Sequence, residues 1–278
     1  MLDIEILTLP LTSRRRALFP VERRGITLAL RLVPVPTGIR LRNVAIDSGL
    51  AITRQELDTA SRLVHQCYLR RGYVKPSADG RHVSPFLAMP STAVFVARVE
   101  DEVIATVSLV DDSELQLPCD ELYGAQMAAL RRTGRRVAEV SALAVSQKWR
   151  DVRLIALRSL VRVVGVYGRD LARVDDLCIA VHPRHAPFYE SRLHFRRFGG
   201  LKSYDAVNGA PAVGLLLDLH ELDREHGEIS FAGRLFDAGE RPRMRAALQR
   251  ERARAAAHAA LHVFHSPAPL AGTETTAV

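Results

Sequence analysis

Residues 137–145, Val-Ala-Glu-Val-Ser-Ala-Leu-Ala-Val, form a β-prone run that is apolar except for one carboxylate and one hydroxyl. Side chains alternate between the faces of a regular strand, so Glu139, Ser141, Leu143 and Val145 are expected to share one side. The carboxylate then lies in line with a wall that a substrate could use. Burying a carboxyl group in such a run is costly unless the group is paired or partly wet. Two readings follow: the group takes a proton from an incoming nucleophile, or it is a surface ion-pair partner of Arg135 or Arg136.

The surrounding pattern places this run in a mixed sheet covered by helices. Thr53-Arg54-Gln55-Glu56 is a capping box, and Leu57, Ala60, Val64, Cys67 and Tyr68 recur at helical spacing up to about Arg71, with Gly72 as the stop. Residues 93–99 and 103–110, separated by Glu100-Asp101-Glu102, read as an antiparallel hairpin. A short helix is predicted over 120–132, with Gly134 beyond its end. Residues 152–171 carry a long helical pattern through Leu154, Leu157, Leu160, Val161 and Val164. Residues 176–181 read as a buried strand, 186–193 as a short helix and 212–219 as a closing strand.

Three segments are expected. Residues 1–45, with Arg14-Arg15-Arg16, Arg23-Arg24, Pro34, Pro36 and Gly38, read as an N-terminal extension. The domain proper covers 46–220. Residues 221–278 read as a basic tail, helical over 241–265 around Met244, Leu248 and Leu261 and disordered from Ser266.

Composition limits the partners. The 278 residues are 47% hydrophobic, enough for a full core. Cys67, Cys119 and Cys178 are odd in number and have no ligand spacing, which argues against a disulfide framework or a zinc site; each reads as a small core residue. No signal peptide or membrane span is indicated, so a cytoplasmic location is expected. A net charge of +8 favours an anionic partner, and much of the excess sits in Arg241, Arg243, Arg245, Arg250, Arg252 and Arg254, which a solvated tail would also explain.

The order strand, basic turn, long helix, strand and short helix bearing Phe188-Tyr189-Glu190 and ending at His194-Phe195 resembles the GNAT acyltransferase superfamily. His194 stands where that pattern has a glycine. Within the superfamily the sequence is similar to the long-chain N-acyl amino acid synthases, relatives of the acyl-homoserine lactone autoinducer synthases. The likeness rests on Arg71-Gly72-Tyr73-Val74, 117–122 (Leu-Pro-Cys-Asp-Glu-Leu), 138–145, 178–185 (Cys-Ile-Ala-Val-His-Pro-Arg-His) and 207–213 (Val-Asn-Gly-Ala-Pro-Ala-Val). It implies an α/β (α+β) fold: a mixed, mostly antiparallel sheet, helices on both faces, and two central parallel strands, 137–145 and 176–181, that splay apart around the donor's pantetheine arm. It also implies that Glu139 is the general base, that Tyr189 occupies the usual acid position, and that Ser141, Leu143 and Val145 line the donor, with backbone N–H groups near 143–145 available to an oxyanion.

Two departures from the family pattern carry information. Acyl-CoA enzymes of the superfamily usually open the long helix with a glycine-containing loop whose backbone cradles a pyrophosphate. Here residues 147–153 read Gln-Lys-Trp-Arg-Asp-Val-Arg, and Lys148, Arg150 and Arg153 suit a single phosphate held by side chains. Phosphopantetheine on an acidic acyl carrier protein presents such a group. Ala142 replaces the arginine of the autoinducer synthases' Glu-x-Ser-Arg motif, which weighs against lactone synthesis.

The expected reaction is transfer of a long acyl chain from carrier protein, or CoA, to the α-amine of an amino acid such as tyrosine, with no tightly bound cofactor, no metal and no specific nucleic-acid partner. Arg71, Arg81 and Lys202 are candidate partners of the acceptor carboxylate, and Tyr204 and Asn208 candidate linings. The competing role for Tyr189 is an aromatic anchor. His182 and His185 lack a third ligand and read as structural. The alternatives are a short-chain acyl-CoA N-acetyltransferase, a lactone synthase-like enzyme, and a non-catalytic acyl-chain or nucleic-acid binder.

Overall fold

The computed structural model describes residues 44–221 and 239–263, with side chains up to residue 257. The expectations for the N-terminal extension and for the stretch beyond Ser266 lie outside the described residues. A seven-stranded sheet runs in the order β1 (Asp47–Leu50), β2 (Ala93–Val99), β3 (Glu102–Asp111), β4 (Val137–Val145), β5 (Asp176–Val181), β7 (Ala210–Asp218), β6 (Arg196–Tyr204). Every neighbouring pair is antiparallel except β4 with β5.

Helices cover both faces. On one side α1 (Arg54–Arg70) and α2 (Asp120–Arg132) bury Leu63, Val64, Cys67, Tyr68, Leu122, Tyr123 and Met127 against Val137, Ala142, Ala144, Cys178 and Ala180. On the other, α3 (Arg153–Val166), α4 (Ala186–Leu193) and α5 (Arg241–Val263) pack Leu157, Leu160, Val164, Tyr189, Met244 and Leu248 against Phe95, Ile104, Leu143, Ile179 and Leu215. The capping box forms as expected: Thr53 Oγ1 accepts from the Glu56 N–H at 3.1 Å while the Glu56 carboxylate accepts from the Thr53 N–H at 3.0 Å. All three cysteines are buried free thiols. No helix of the described residues is long and apolar enough to cross a membrane.

The central pair opens as the resemblance implied. β4 and β5 are in register at Val137↔Asp176, Ala138↔Leu177 and Glu139↔Cys178, and no further. Beyond that rung β4 stays on β3 and β5 stays on β7. The facing edges of the two strands are thereby left without each other.

Three features differ from the sequence reading. In β4, Ser141 faces Ser108 and Ala144 faces Thr106, so two residues, Ala142 and Leu143, stand opposite Val107. This is a β-bulge, with Ala142 in the left-handed region at φ 52°. It flips the alternation: Glu139 shares its face with Ala142 and Ala144, while Leu143 and Val145 belong to the α3 side. The second feature is β6, a polar edge strand that lacks an apolar signature, and the third is the short β1. α5 adds to the picture of the tail: its first half is anchored in the core through Met244 and Leu248.

Candidate active site

Glu139 sits on the last rung before the strands part and is 1% exposed. Its Oε2 accepts the Cys119 backbone N–H at 2.7 Å. Cys119 belongs to a turn that is itself fixed: Asp120 Oδ2 accepts from the Leu117 N–H at 2.9 Å, and Arg131 bridges Asp112 and Asp120, both at 2.6 Å. Tyr204 donates its hydroxyl to the Pro118 carbonyl at 3.1 Å. The thiols of Cys119 and Cys178, 3.6 Å apart, complete the surroundings. Burial in this shell, only partly offset by the Cys119 hydrogen bonds, pushes the Glu139 carboxyl up to about 7. A carboxyl group poised there holds or releases a proton near neutral pH, as a general base requires.

At the far end of β4 a cleft of about 290 Å³ is lined by Leu143, Ala144, Val145, Ser146 and Gln147 together with Arg70, Arg71, Arg150, Arg153, Arg184 and Cys67. Among these lining residues there are five arginines and no carboxylate. Cys67 donates its thiol to the Val145 carbonyl at 3.4 Å and accepts from Arg70 Nη2 at 3.2 Å, which ties α1 to the strand end. Arg153 spends Nη1 on the Arg150 carbonyl at 2.9 Å, whereas its buried Nε has no hydrogen-bond partner among the described residues. α3 begins at Arg153 without a side-chain cap or an acidic residue in its first turn. The Arg153 N–H is already taken by the Arg150 carbonyl in the 3-10 turn Gln147–Val152 that runs into α3, so it is the clustered guanidinium groups, with no carboxylate in the lining, that can hold an anion such as a phosphate.

The sequence-predicted residues divide accordingly. Arg71, Leu143, Val145, Arg150 and Arg153 come together at the cleft; Ser141 lies at the bulge, opposite Ser108. Lys148 turns away to pair with Glu102 at 2.6 Å. Arg81 is held by Asp58 and by Asp79. Lys202 donates to the Leu122 carbonyl at 2.5 Å and lies over the Tyr123 ring. Asn208 donates to the Gly72 carbonyl at 3.0 Å, joining the loop after α1 to the β6–β7 turn. Tyr189 packs edge-on against Phe188 and Phe195 in the α3-side core, across the sheet from Glu139. That packing supports the anchoring role. Arg70 and Arg184 were missing from the sequence reading. Neither carries a sequence signal of its own: Arg70 adjoins Arg71, and Arg184 lies between Pro183 and His185.

Comparison with known proteins gives this geometry a lineage. The sequence profile of the N-acyl amino acid synthase FeeM matches residues 59–218. The structure of FeeM, an N-acyl amino acid synthase from uncultured soil microbes, is 28% identical and aligns with a TM-score of 0.55 over 63% of this chain and 91% of that one. An N-acetyltransferase from Staphylococcus aureus Mu50 is 16% identical with a TM-score of 0.43 over 63% and 98% of the two chains. BjaI, a CoA-dependent acyl-homoserine lactone synthase, is 18% identical with a TM-score of 0.46 over 68% and 97%. No curated protein sequence matches the chain. The match to the profile covers more than half of the sequence, and with it the chain is an N-acyltransferase that belongs to the family of the N-acyl amino acid synthase FeeM.

Proposed function

We infer that this protein transfers a long acyl chain from a phosphopantetheine thioester to the α-amine of an amino acid such as tyrosine, in the cytoplasm, with an acyl carrier protein as the donor's bearer. The observation that carries this reading is the pairing, on one strand, of the buried Glu139 carboxyl and the arginine-rich cleft, joined by the unpaired edge of β4. A phosphate in the cleft would leave the pantetheine arm lying along that edge toward Glu139. The ammonium of the acceptor gives its proton to the Glu139 carboxylate, directly or through a water, and the freed amine attacks the thioester carbon. The tetrahedral oxyanion collapses, the C–S bond breaks, and the thiolate leaves and takes up the proton that the attacking nitrogen sheds as the amide forms. Backbone N–H groups of β4 beyond the bulge are the candidate oxyanion donors.

Side-chain guanidinium groups in place of a glycine loop favour a single phosphate, hence carrier protein over CoA. Arg71, seated in the cleft, is the candidate nearest the donor. Tyr204 and Asn208 shape the acceptor side by holding the 117–120 turn and the loop after α1. Mass spectrometry of lipid extracts from cells expressing wild type and Glu139→Gln tests the scheme. N-acyl amino acids are expected from the wild type and not from the folded variant. Equal product from both removes Glu139 as base, and faster turnover of dodecanoyl-CoA than of dodecanoyl carrier protein reverses the donor assignment.

A further inference from the structure

α5 is an addition to the family domain, since it begins at Arg241, beyond the stretch 59–218 that matches the profile. One seam of the helix, carrying Met244 and Leu248, is buried in the core, and Glu251 is turned inward onto the Leu50 backbone N–H. On the flank beside that seam stand Arg243, Arg250 and Arg254, all exposed. At about 100° per residue, spacings of seven and eleven bring the three within roughly 40° of one another around the axis, in a stripe about 16 Å long. None of them has a hydrogen bond or an ion pair among the described residues, whereas Arg241 is held by Asp170 and Arg252 covers the Tyr167 ring. Arg250 and Arg254 are four apart, where like charges cost a helix stability. The stripe also adjoins the basic surface of the cleft: Arg250 and Trp149 line one hollow of about 780 Å³, and the residue after Trp149 is the cleft's Arg150. The hollow itself is no anion pocket, because Asp47, Glu100 and Glu251 line it too. An anionic partner therefore fits along the helix flank rather than inside.

We propose that α5 is a docking element for the acidic carrier protein: the stripe Arg243, Arg250 and Arg254 pairs with carboxylates on that protein while its phosphopantetheine arm enters the arginine cleft. Resting on the carrier-protein reading of the donor, this assigns part of the donor's affinity to a helix outside the family domain. Opposite charges on two such surfaces steer the encounter and fix its orientation, and both effects weaken with salt. A single-stranded nucleic acid would call for aromatic side chains on which bases stack, and residues 243–254 contain none. A partner helix of about eleven residues is long enough to meet all three guanidinium groups.

The test uses full-length protein with two donors that carry the same thioester, dodecanoyl carrier protein and dodecanoyl phosphopantetheine. Wild type is compared with the combined variant Arg243→Glu, Arg250→Glu, Arg254→Glu and with Arg245→Glu, which lies on the opposite flank of α5; all four sites are exposed, so the fold tolerates the changes. In the combined variant the KM for the carrier-protein donor is expected to rise about tenfold or more at about 50 mM salt, the worth of three exposed ion pairs, and the effect is expected to shrink at about 500 mM. The KM for dodecanoyl phosphopantetheine should change less than twofold, and Arg245→Glu should move neither value by more than that. An unchanged carrier-protein KM overturns the docking role while leaving acyl transfer intact. An equal rise for both donors overturns it too, because the stripe then acts on the cleft and not on the protein. Loss of binding to phosphatidylglycerol vesicles in the combined variant, with the carrier-protein KM unmoved, reassigns the stripe to a lipid surface. A wild type that acylates no amine from either donor sinks the acyl-transfer reading itself.

Discussion

On the proposed mechanism, Glu139 sets activity and stability against each other. Its carboxyl is raised from the ordinary 4.5 to about 7 by burial, with Asp120 nearby adding to the rise. Between those two values the folded protein keeps a proton that the unfolded chain has released, so the native state binds more protons and stability falls as pH climbs through this window. The loss is complete above pH 7 and amounts to about 3 kcal/mol. Catalysis runs the other way, because a base must be ionised: kcat/KM is expected to rise through pH 7. Glu139→Gln keeps an acceptor for the Cys119 N–H but never ionises. Urea denaturation is therefore expected to show the variant more stable than wild type at pH 8 and similar at pH 5, while turnover falls by about 10²–10⁴-fold. A variant destabilised equally at both pH values would show the carboxylate to be structural. The basic residues around the start of α3 divide as sharply. Arg153, whose buried Nε has no partner among the described residues, is on the proposed donor assignment expected to raise the donor KM about tenfold or more when changed to alanine, since hydrogen bonds to charged groups are the strong ones. Lys148→Ala breaks only an exposed pair with Glu102, and steady-state kinetics should show less than a twofold change.

At the scale of elements, the bulge in β4 decides which side chains meet. Ala142 holds φ 52°, a conformation that costs an L-residue about 1–2 kcal/mol and that a β-branched residue adopts only with further strain. Ala142→Val is expected to lower the denaturation midpoint by the equivalent of about 2 kcal/mol or more, whereas Ala142→Gly should stay within about 1 kcal/mol of wild type. Equal losses would mean that packing, not backbone, dominates the site. The same residue shows where sequence reading stops. α1 was legible because its capping box and 3.6-residue period agree, and β2, β3, β4 and β5 because their runs are dominated by apolar and β-branched residues. The bulge left no such trace, since neither glycine nor asparagine marks the left-handed position, and strict alternation then put Leu143 and Val145 on the wrong face. β6 was illegible for a different reason. An edge strand needs little apolar side chain, and Gly199 serves a neighbour instead: a Cβ there would come within 2.4 Å of the Tyr123 ring that packs against it. The arginine cleft was half legible, because its arginines arrive from the end of α1, from the start of α3 and from the segment after β5. Only the fold brings those three together.

Across the whole molecule, the charge excess that sequence assigns to a tail is partly built into the body. α5 lies beyond the stretch that matches the family profile, yet it closes the α3-side core and the β1 edge. Glu251 accepts the Leu50 backbone N–H at 2.8 Å, and Gly49 leaves the room, since a Cβ there would approach the carboxylate to 2.5 Å. Arg241 pairs with Asp170 at 2.6 Å, Glu240 reaches the buried Arg162, and Arg252 covers the Tyr167 ring. These cations are therefore committed to docking the helix, whereas Arg245 points to solvent. The two roles separate experimentally. Leu248 is 1% exposed between α3 and the sheet, so Leu248→Ala removes a filled core position and is expected to cost about 2–5 kcal/mol. Arg245→Ala, which removes only an exposed charge, is expected to stay within about 0.5 kcal/mol of wild type. Urea midpoints at constant slope measure both. If α5 were an appendage packed loosely on an independent domain, Leu248→Ala would leave the main transition where it is, and its large shift is thus the sign that the helix folds with the sheet as one unit.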